Sequence, residues 1–156
     1  MSSQPGLGTS VRVYLPAERD FVRDTSQFVG DLTGSQTVLM VDDEDLLLTM
    51  GETILSGYGY TVYTANSGHK ALEVISKSDK PIDLVITDLV MPVMSGRELV
   101  ERIREISPGT RILCTTGYVT PGQHQEHTAY LQKPFTSQEL LTRVKKMLVV
   151  EATAVD

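Results

Sequence analysis

Asp83-Leu84-Val85-Ile86-Thr87-Asp88-Leu89-Val90-Met91-Pro92 runs an apolar strand into a carboxylate and then halts it with Met-Pro. Proline lacks the amide proton a strand ladder needs, and it constrains the residue before it, so the strand closes near Asp88. Three other apolar runs end on chemistry in the same way. Thr37 to Val41 delivers Asp42-Asp43, Arg111 to Thr115 delivers Thr116-Gly117, and Ala129 to Gln132 delivers Lys133-Pro134. An acid pair, a single acid, a hydroxyl and a lysine, each at the carboxyl end of its own strand, are the parts of a site for a divalent cation and a phosphoryl group.

Around these runs, short β-branched stretches alternate with longer stretches of helical period from Thr37 to Val150, the signature of a parallel α/β domain. The strands read as Thr37 to Val41, Thr61 to Ala65, Ile82 to Thr87, Arg111 to Thr115 and Ala129 to Gln132. The first, third and fourth are almost wholly apolar, which suits central strands covered on both faces. Apolar stripes mark the helices between them: Leu47, Met50 and Ile54, then Ala71, Leu72 and Ile75, then Leu99, Ile103 and Ile106, each expected to face the sheet. Ser67 and Ser95 stand as N-caps, Gly57, Gly59 and Pro108-Gly109 as stops. A last helix is expected from Thr136 or Ser137, supported by Glu139 and burying Leu140, Val144 and Leu148. Between Tyr118 and Thr128 the chain carries Pro121-Gly122 and almost no apolar stripe, so a helix there is expected to be short or irregular.

Composition bounds the function. The 156 residues fit one domain with a tail, and 40% hydrophobic with 22% charged residues is ordinary for a globular protein. No apolar run approaches the roughly 20 residues that span a bilayer, and the start lacks the pattern of a signal peptide, so a cytoplasmic location is expected. A net charge of −6 argues against nucleic acid as a partner. The basic cluster Arg143-Val144-Lys145-Lys146 suits the last turns of a helix. Cys114, alone of its kind, lies in an apolar strand and reads as a small buried hydrophobe.

From about Gln36 to about Val150 the chain resembles the receiver domain of two-component response regulators, carrying five elements of that family in order and on the expected strands. The resemblance implies a flavodoxin-like, doubly wound sheet of five parallel strands in the order 2-1-3-4-5, layered α/β/α, with a crevice where the first and third strands part. Asp42, Asp43 and Asp88 would meet there. Carboxylates so close repel one another unless a cation is bound, and Mg²⁺ takes hard oxygen ligands of this kind. By the same resemblance Asp88 is the phosphoacceptor, Asp43 and Asp88 ligate the metal with the Val90 backbone carbonyl, and Asp42 holds a metal-bound water. Lys133 and Thr116 would bind phosphoryl oxygens, and the Lys133-Pro134 bond is commonly cis in the family. Strand alternation lets only one of Thr115 and Thr116 face the crevice, and the small Gly117 after it favours Thr116. Tyr130 matches an aromatic whose rotamer reports phosphorylation. Val90 and Tyr118 stand where other receivers place polar groups that guide the hydrolytic water, which implies slow loss of the phosphoryl group.

Residues 1–16 resemble the end of the ATP-binding domain of sensor histidine kinases, where a Gly-x-Gly-Thr box (here Gly6-Leu7-Gly8-Thr9) precedes a last strand ending in Leu15-Pro16. A kinase remnant at 1–16, a linker at 17–35, a receiver at 36–150 and a tail at 151–156 are the arrangement of a hybrid histidine kinase, whose parent chain could be membrane-anchored. This segment by itself is not expected to bind ATP. Its partner would be a histidine kinase or a histidine phosphotransfer domain, in a phosphorelay, with the segment itself monomeric and away from the membrane. Rival readings are a stand-alone response regulator, a Mg²⁺-dependent aspartyl-phosphate hydrolase, which usually has an acid where Val90 stands, and a degenerate receiver serving only as an interaction module.

Overall fold

The computed structural model describes residues 30–117 and 127–149, together with the backbone of two short strands, Ser2–Ser3 and Thr9–Ser10, that pair antiparallel. The expected tail strand ending at Leu15-Pro16, the linker up to residue 29, Tyr118 and the segment expected to hold a short fourth helix lie outside the described residues. Strands β1 (Thr37–Val41), β2 (Thr61–Ala65), β3 (Leu84–Asp88), β4 (Arg111–Thr116) and β5 (Thr128–Gln132) form one parallel sheet in the order β2-β1-β3-β4-β5. Helices α1 (Asp45–Gly57), α2 (Gly68–Lys77), α3 (Gly96–Ile106) and α4 (Ser137–Val149) complete the three layers. None of the described helices is long and apolar enough to cross a membrane.

Strand alternation divides the core between the two faces of the sheet. Val38, Met40, Leu84, Ile86, Leu113 and Leu131 pack under α1 and α4. Leu39, Val41, Val85, Ile112 and Cys114 pack under α2 and α3. Every residue of β1 and β3 is buried, as apolar central strands require, whereas β2 is an edge strand with an exposed Tyr63. Local capping follows the sequence. Ser67 accepts from the Lys70 amide and Ser95 from the Glu98 amide, and Thr136 and Glu139 cap α4 reciprocally, with bonds of 3.1 and 2.7 Å.

Two of the expected stripes differ in part, that of α1 by rotation and that of α3 only at its last residue. In α1 the buried residues are Leu48, Gly51 and Leu55, while Met50 is half exposed and Leu47 and Ile54 are only partly covered. Gly51 sets this rotation: a Cβ there would lie 2.1 Å from the Met40 sulfur, so the helix reaches the sheet at a position without a side chain. In α3, Leu99, Val100 and Ile103 are buried and Ile106 is exposed, because the helix ends there and the chain turns away through Ser107. The side chain of Arg104 instead ties α3 to the sheet, donating to the carbonyls of Pro108, Thr110 and His127 and to the Thr128 hydroxyl.

The fold also reaches further towards the N-terminus than Gln36. Leu32 joins the core under α1 and α4, its carbonyl accepts the Tyr60 hydroxyl at 3.1 Å, and the Gly34 amide donates to the Tyr58 carbonyl at 3.0 Å. Gly34 fits because a Cβ there would meet the Tyr60 ring at 2.3 Å. The end of the expected linker is therefore part of the packed domain. Leu32→Ala is expected to lower stability by about 2 kcal/mol, within the range for emptying a buried leucine site. A urea midpoint unchanged from wild type would mean that Leu32 contributes no core.

Candidate functional site

The order β2-β1-β3 leaves α1 and α3 departing from adjacent strands on opposite faces, so the carboxyl ends of β1 and β3 border a crevice. Asp42 follows β1 directly and Asp88 is the last residue of β3. Asp42, Asp43 and Asp88 each turn a carboxylate oxygen into this crevice, all within 4.8 Å of one another. Asp42 is buried, Asp43 exposed, and Asp88 only 9% exposed.

Backbone and side-chain donors divide the carboxylate oxygens between them. Asp42 Oδ1 accepts the Glu44 amide at 2.9 Å and Asp88 Oδ1 accepts the Val90 amide at 3.0 Å. The remaining oxygens share one cation: Lys133 Nζ donates to Asp42 Oδ2 at 3.1 Å and to Asp88 Oδ2 at 2.9 Å. Lys133 enters from the loop after β5, where its own amide donates to the Thr116 carbonyl at 2.8 Å, and the Lys133-Pro134 bond is cis, as the family resemblance implies. Burial by itself disfavours its ammonium, but the hydrogen bonds and charges of Asp88 and Asp42 outweigh burial and hold Lys133 above the usual lysine range.

The remaining candidates occupy distinct places. Val90 is 76% exposed at the rim of the crevice, and the Tyr118 position lies outside the described residues. Tyr130 is half buried and packs on the α2 and α3 side of the sheet, where burial lifts its hydroxyl above the usual tyrosine range. Thr116 is buried at the end of β4. The register, however, pairs Asp88 with Thr115, and Thr115 opens onto a cavity shared with Asp42 and Lys133. Cys114 is an inert core residue, its thiol pushed up to about 12 by burial.

Two features of the loop after β3 were not read from the sequence. Gly96 starts α3 against β3 so closely that a Cβ would lie 2.0 Å from the Asp88 carbonyl oxygen, which only glycine permits. Val93, 93% exposed, has φ 69°, and the Met94 amide donates across it to the Pro92 carbonyl at 2.9 Å. That is a γ-turn in its strained, positive-φ form, costly for a β-branched residue. The Met91-Pro92 pair signals a turn, but nothing local marks which residue takes the strain.

Residues 38–145 match the family described as response regulator receiver domain. The chain belongs to the receiver-domain family. Sensor kinase CckA of Brucella abortus is 34% identical over 94% of this chain, which spans only 17% of CckA's length. So large a share of the chain takes in most of the segment before residue 38. The response regulator receiver protein CpdR of the same organism is 31% identical over 72% of this chain and 96% of its own length. Among solved structures, the chemotaxis protein CheY4 of Vibrio cholerae superposes with a TM-score of 0.67 at 35% identity, covering 74% of this chain and all of CheY4.

The raised Lys133 value carries a sign. A lysine held charged in the folded state stabilises fully below its unfolded value, ~10.4, and that stabilisation disappears as pH rises through the higher folded value. The stability gap between wild type and Lys133→Met, followed by urea unfolding, is therefore expected to be constant from neutral pH up to ~10.4 and to close above it. A gap that stays constant through the alkaline range would contradict the ion pairing.

Proposed function

We propose that this receiver accepts a phosphoryl group from a phosphohistidine onto Asp88, within a histidine kinase phosphorelay, with Mg²⁺ bound beside it. The observation that carries the reading is the single ammonium of Lys133 bridging Asp42 and Asp88 at the mouth of a three-carboxylate crevice. Three carboxylates against one ammonium leave an excess of negative charge in a partly dry site, and the donor set is all hard oxygen, which suits a divalent cation that retains water ligands. Asp43, Asp88 and the Val90 carbonyl would ligate it, with Asp42 acting through a water. Bound there, the cation supplies charge neutralisation for the incoming phosphoryl oxygens.

The protein's own part is positioning and electrostatics, which phosphoryl transfer chiefly requires. The Val90 amide orients the Asp88 carboxylate, and Lys133 lies where it can pass from the carboxylates to a phosphoryl oxygen. The P–N bond of the donor imidazole breaks as a P–O bond forms to Asp88. The Thr116 hydroxyl would take a second phosphoryl oxygen, and Tyr130 would move into the space that Thr116 vacates. A hybrid sensor kinase as the parent chain is supported by the match to CckA running beyond the receiver, and the partner is then that kinase's own histidine or a phosphotransfer domain. The acidic charge balance fits a domain without affinity for nucleic acid.

Incubation with acetyl phosphate and Mg²⁺, read by intact mass, is expected to give one phosphoryl adduct in wild type and none in Asp88→Asn or without metal. No adduct on wild type would leave only an interaction module. Val90 places an apolar side chain at the rim, where a polar one would guide the hydrolytic water, so the wild-type adduct should outlast that of Val90→Asn several-fold. A shorter wild-type lifetime would refute this role of Val90.

A further inference from the structure

The loop that joins β3 to α3 is closed at its neck, where the Gly96 amide donates to the Leu89 carbonyl at 3.0 Å. Between these ends two methionines turn inward. Met91 and Met94 are buried in the core under α2 and α3, and a Cβ on Gly68, the first residue of α2, would meet the Met94 sulfur at 2.5 Å. With both methionines inside, Pro92 and Val93 have to reverse the chain on the surface, and the reversal falls on Val93 at φ 69°. A β-branched side chain has only a narrow well at positive φ, where glycine is free. Val93 is almost wholly exposed, so burial of its side chain does not offset that cost. What the branch contributes is restriction: with the neck and both methionines held, it confines the turn to one narrow well, whereas glycine would leave several.

The near end of the same loop touches the acid crevice, where the Val90 amide donates to Asp88 Oδ1 at 3.0 Å. We infer that Val93 is a positioning residue for Asp88: by confining the loop, its strained turn fixes the Val90 peptide and, through it, the Asp88 carboxylate. That peptide also carries the carbonyl assigned to the cation in the function proposed above. Weaker cation binding by a loosened loop is the one consequence that rests on that reading; the hold on Asp88 does not.

The test compares wild type, Val93→Gly and Val93→Ile as whole chains. Glycine relieves the strain, so its urea midpoint is expected to rise. The Val90 amide, in contrast, is expected to exchange with solvent roughly five-fold faster in the metal-free variant, as part of one residue's backbone freedom returns. Mg²⁺, titrated through the amide shifts of Asp88 and Val90, should bind Val93→Gly more weakly by a similar factor. Val93→Ile keeps the branch and should restore wild-type exchange. A turn that only shapes the fold would move stability and exchange in the same sense, so the opposite signs decide the role. The proposal falls if glycine lowers the urea midpoint, if Val90 exchanges no faster in Val93→Gly, or if Val93→Ile exchanges as fast as the glycine variant. It falls equally if wild type and Val93→Gly bind Mg²⁺ alike. Should wild type itself bind no Mg²⁺, the proposed function fails, and the exchange rates still decide the role of Val93.

Discussion

The Lys133 ammonium, held by Asp42 and Asp88 at once, is the interaction on which the rest of this domain's chemistry depends. Reaching them is not trivial. Lys133 follows β5, while Asp88 lies on β3 and Asp42 beyond β1, and neighbouring strands are about 4.8 Å apart. A lysine stem cannot cross two or three such spacings from its own strand. The chain after β5 therefore folds back over the end of β4, where the Lys133 amide bonds the Thr116 carbonyl, and the side chain starts its reach from there. The same contact joins the backbone of Thr116 to the residue that pairs with both acids.

A second constraint acts on β3. Its last residue has to present a carboxylate while its carbonyl lies against the start of α3, and Gly96 makes that approach possible. The loop between them is consequently short and taut: the Leu89 carbonyl accepts the Gly96 amide, and the slack is taken up by the γ-turn at Val93. Strain of this kind persists only where surrounding structure enforces it. Here the enforcement comes from both ends of the loop, Asp88 in the sheet and Ser95 capping the helix. The apolar residues Val90 and Val93 stand exposed on this loop.

Much of this was legible in the sequence because the informative residues act locally. An acid at the end of a strand buried on both faces has few explanations, and Asp42, Asp43, Asp88 and Lys133 meet as that pattern implies. Ser67, Ser95 and the Thr136–Glu139 pair cap helices through bonds spanning three residues. What was not legible depends on contacts between distant segments. Leu46-Leu47-Leu48 offers three possible inward registers for α1, and the choice is made by Gly51 against Met40 on another element. Leu32 is a lone apolar residue in a polar stretch, and only Tyr60, 28 residues later, makes it core. Thr115 and Thr116 cannot be told apart by composition; the strand register assigns the first to the α1 and α4 side and leaves the second at the strand's end.

The two faces of the sheet are unlike at their carboxyl pole. On the α2 and α3 side, Cys114 and Tyr130 continue the apolar core up to the end of the strands. On the α1 and α4 side, Gly51 draws α1 down onto Met40, and the wall above opens as a cavity between Leu47, Ile54 and Leu140. The ion pair of Lys133 and Asp42 forms part of that cavity's boundary, so its local dielectric depends on what fills the space. The packing of an apolar face and the electrostatics of the acid crevice are thus coupled through the same two side chains.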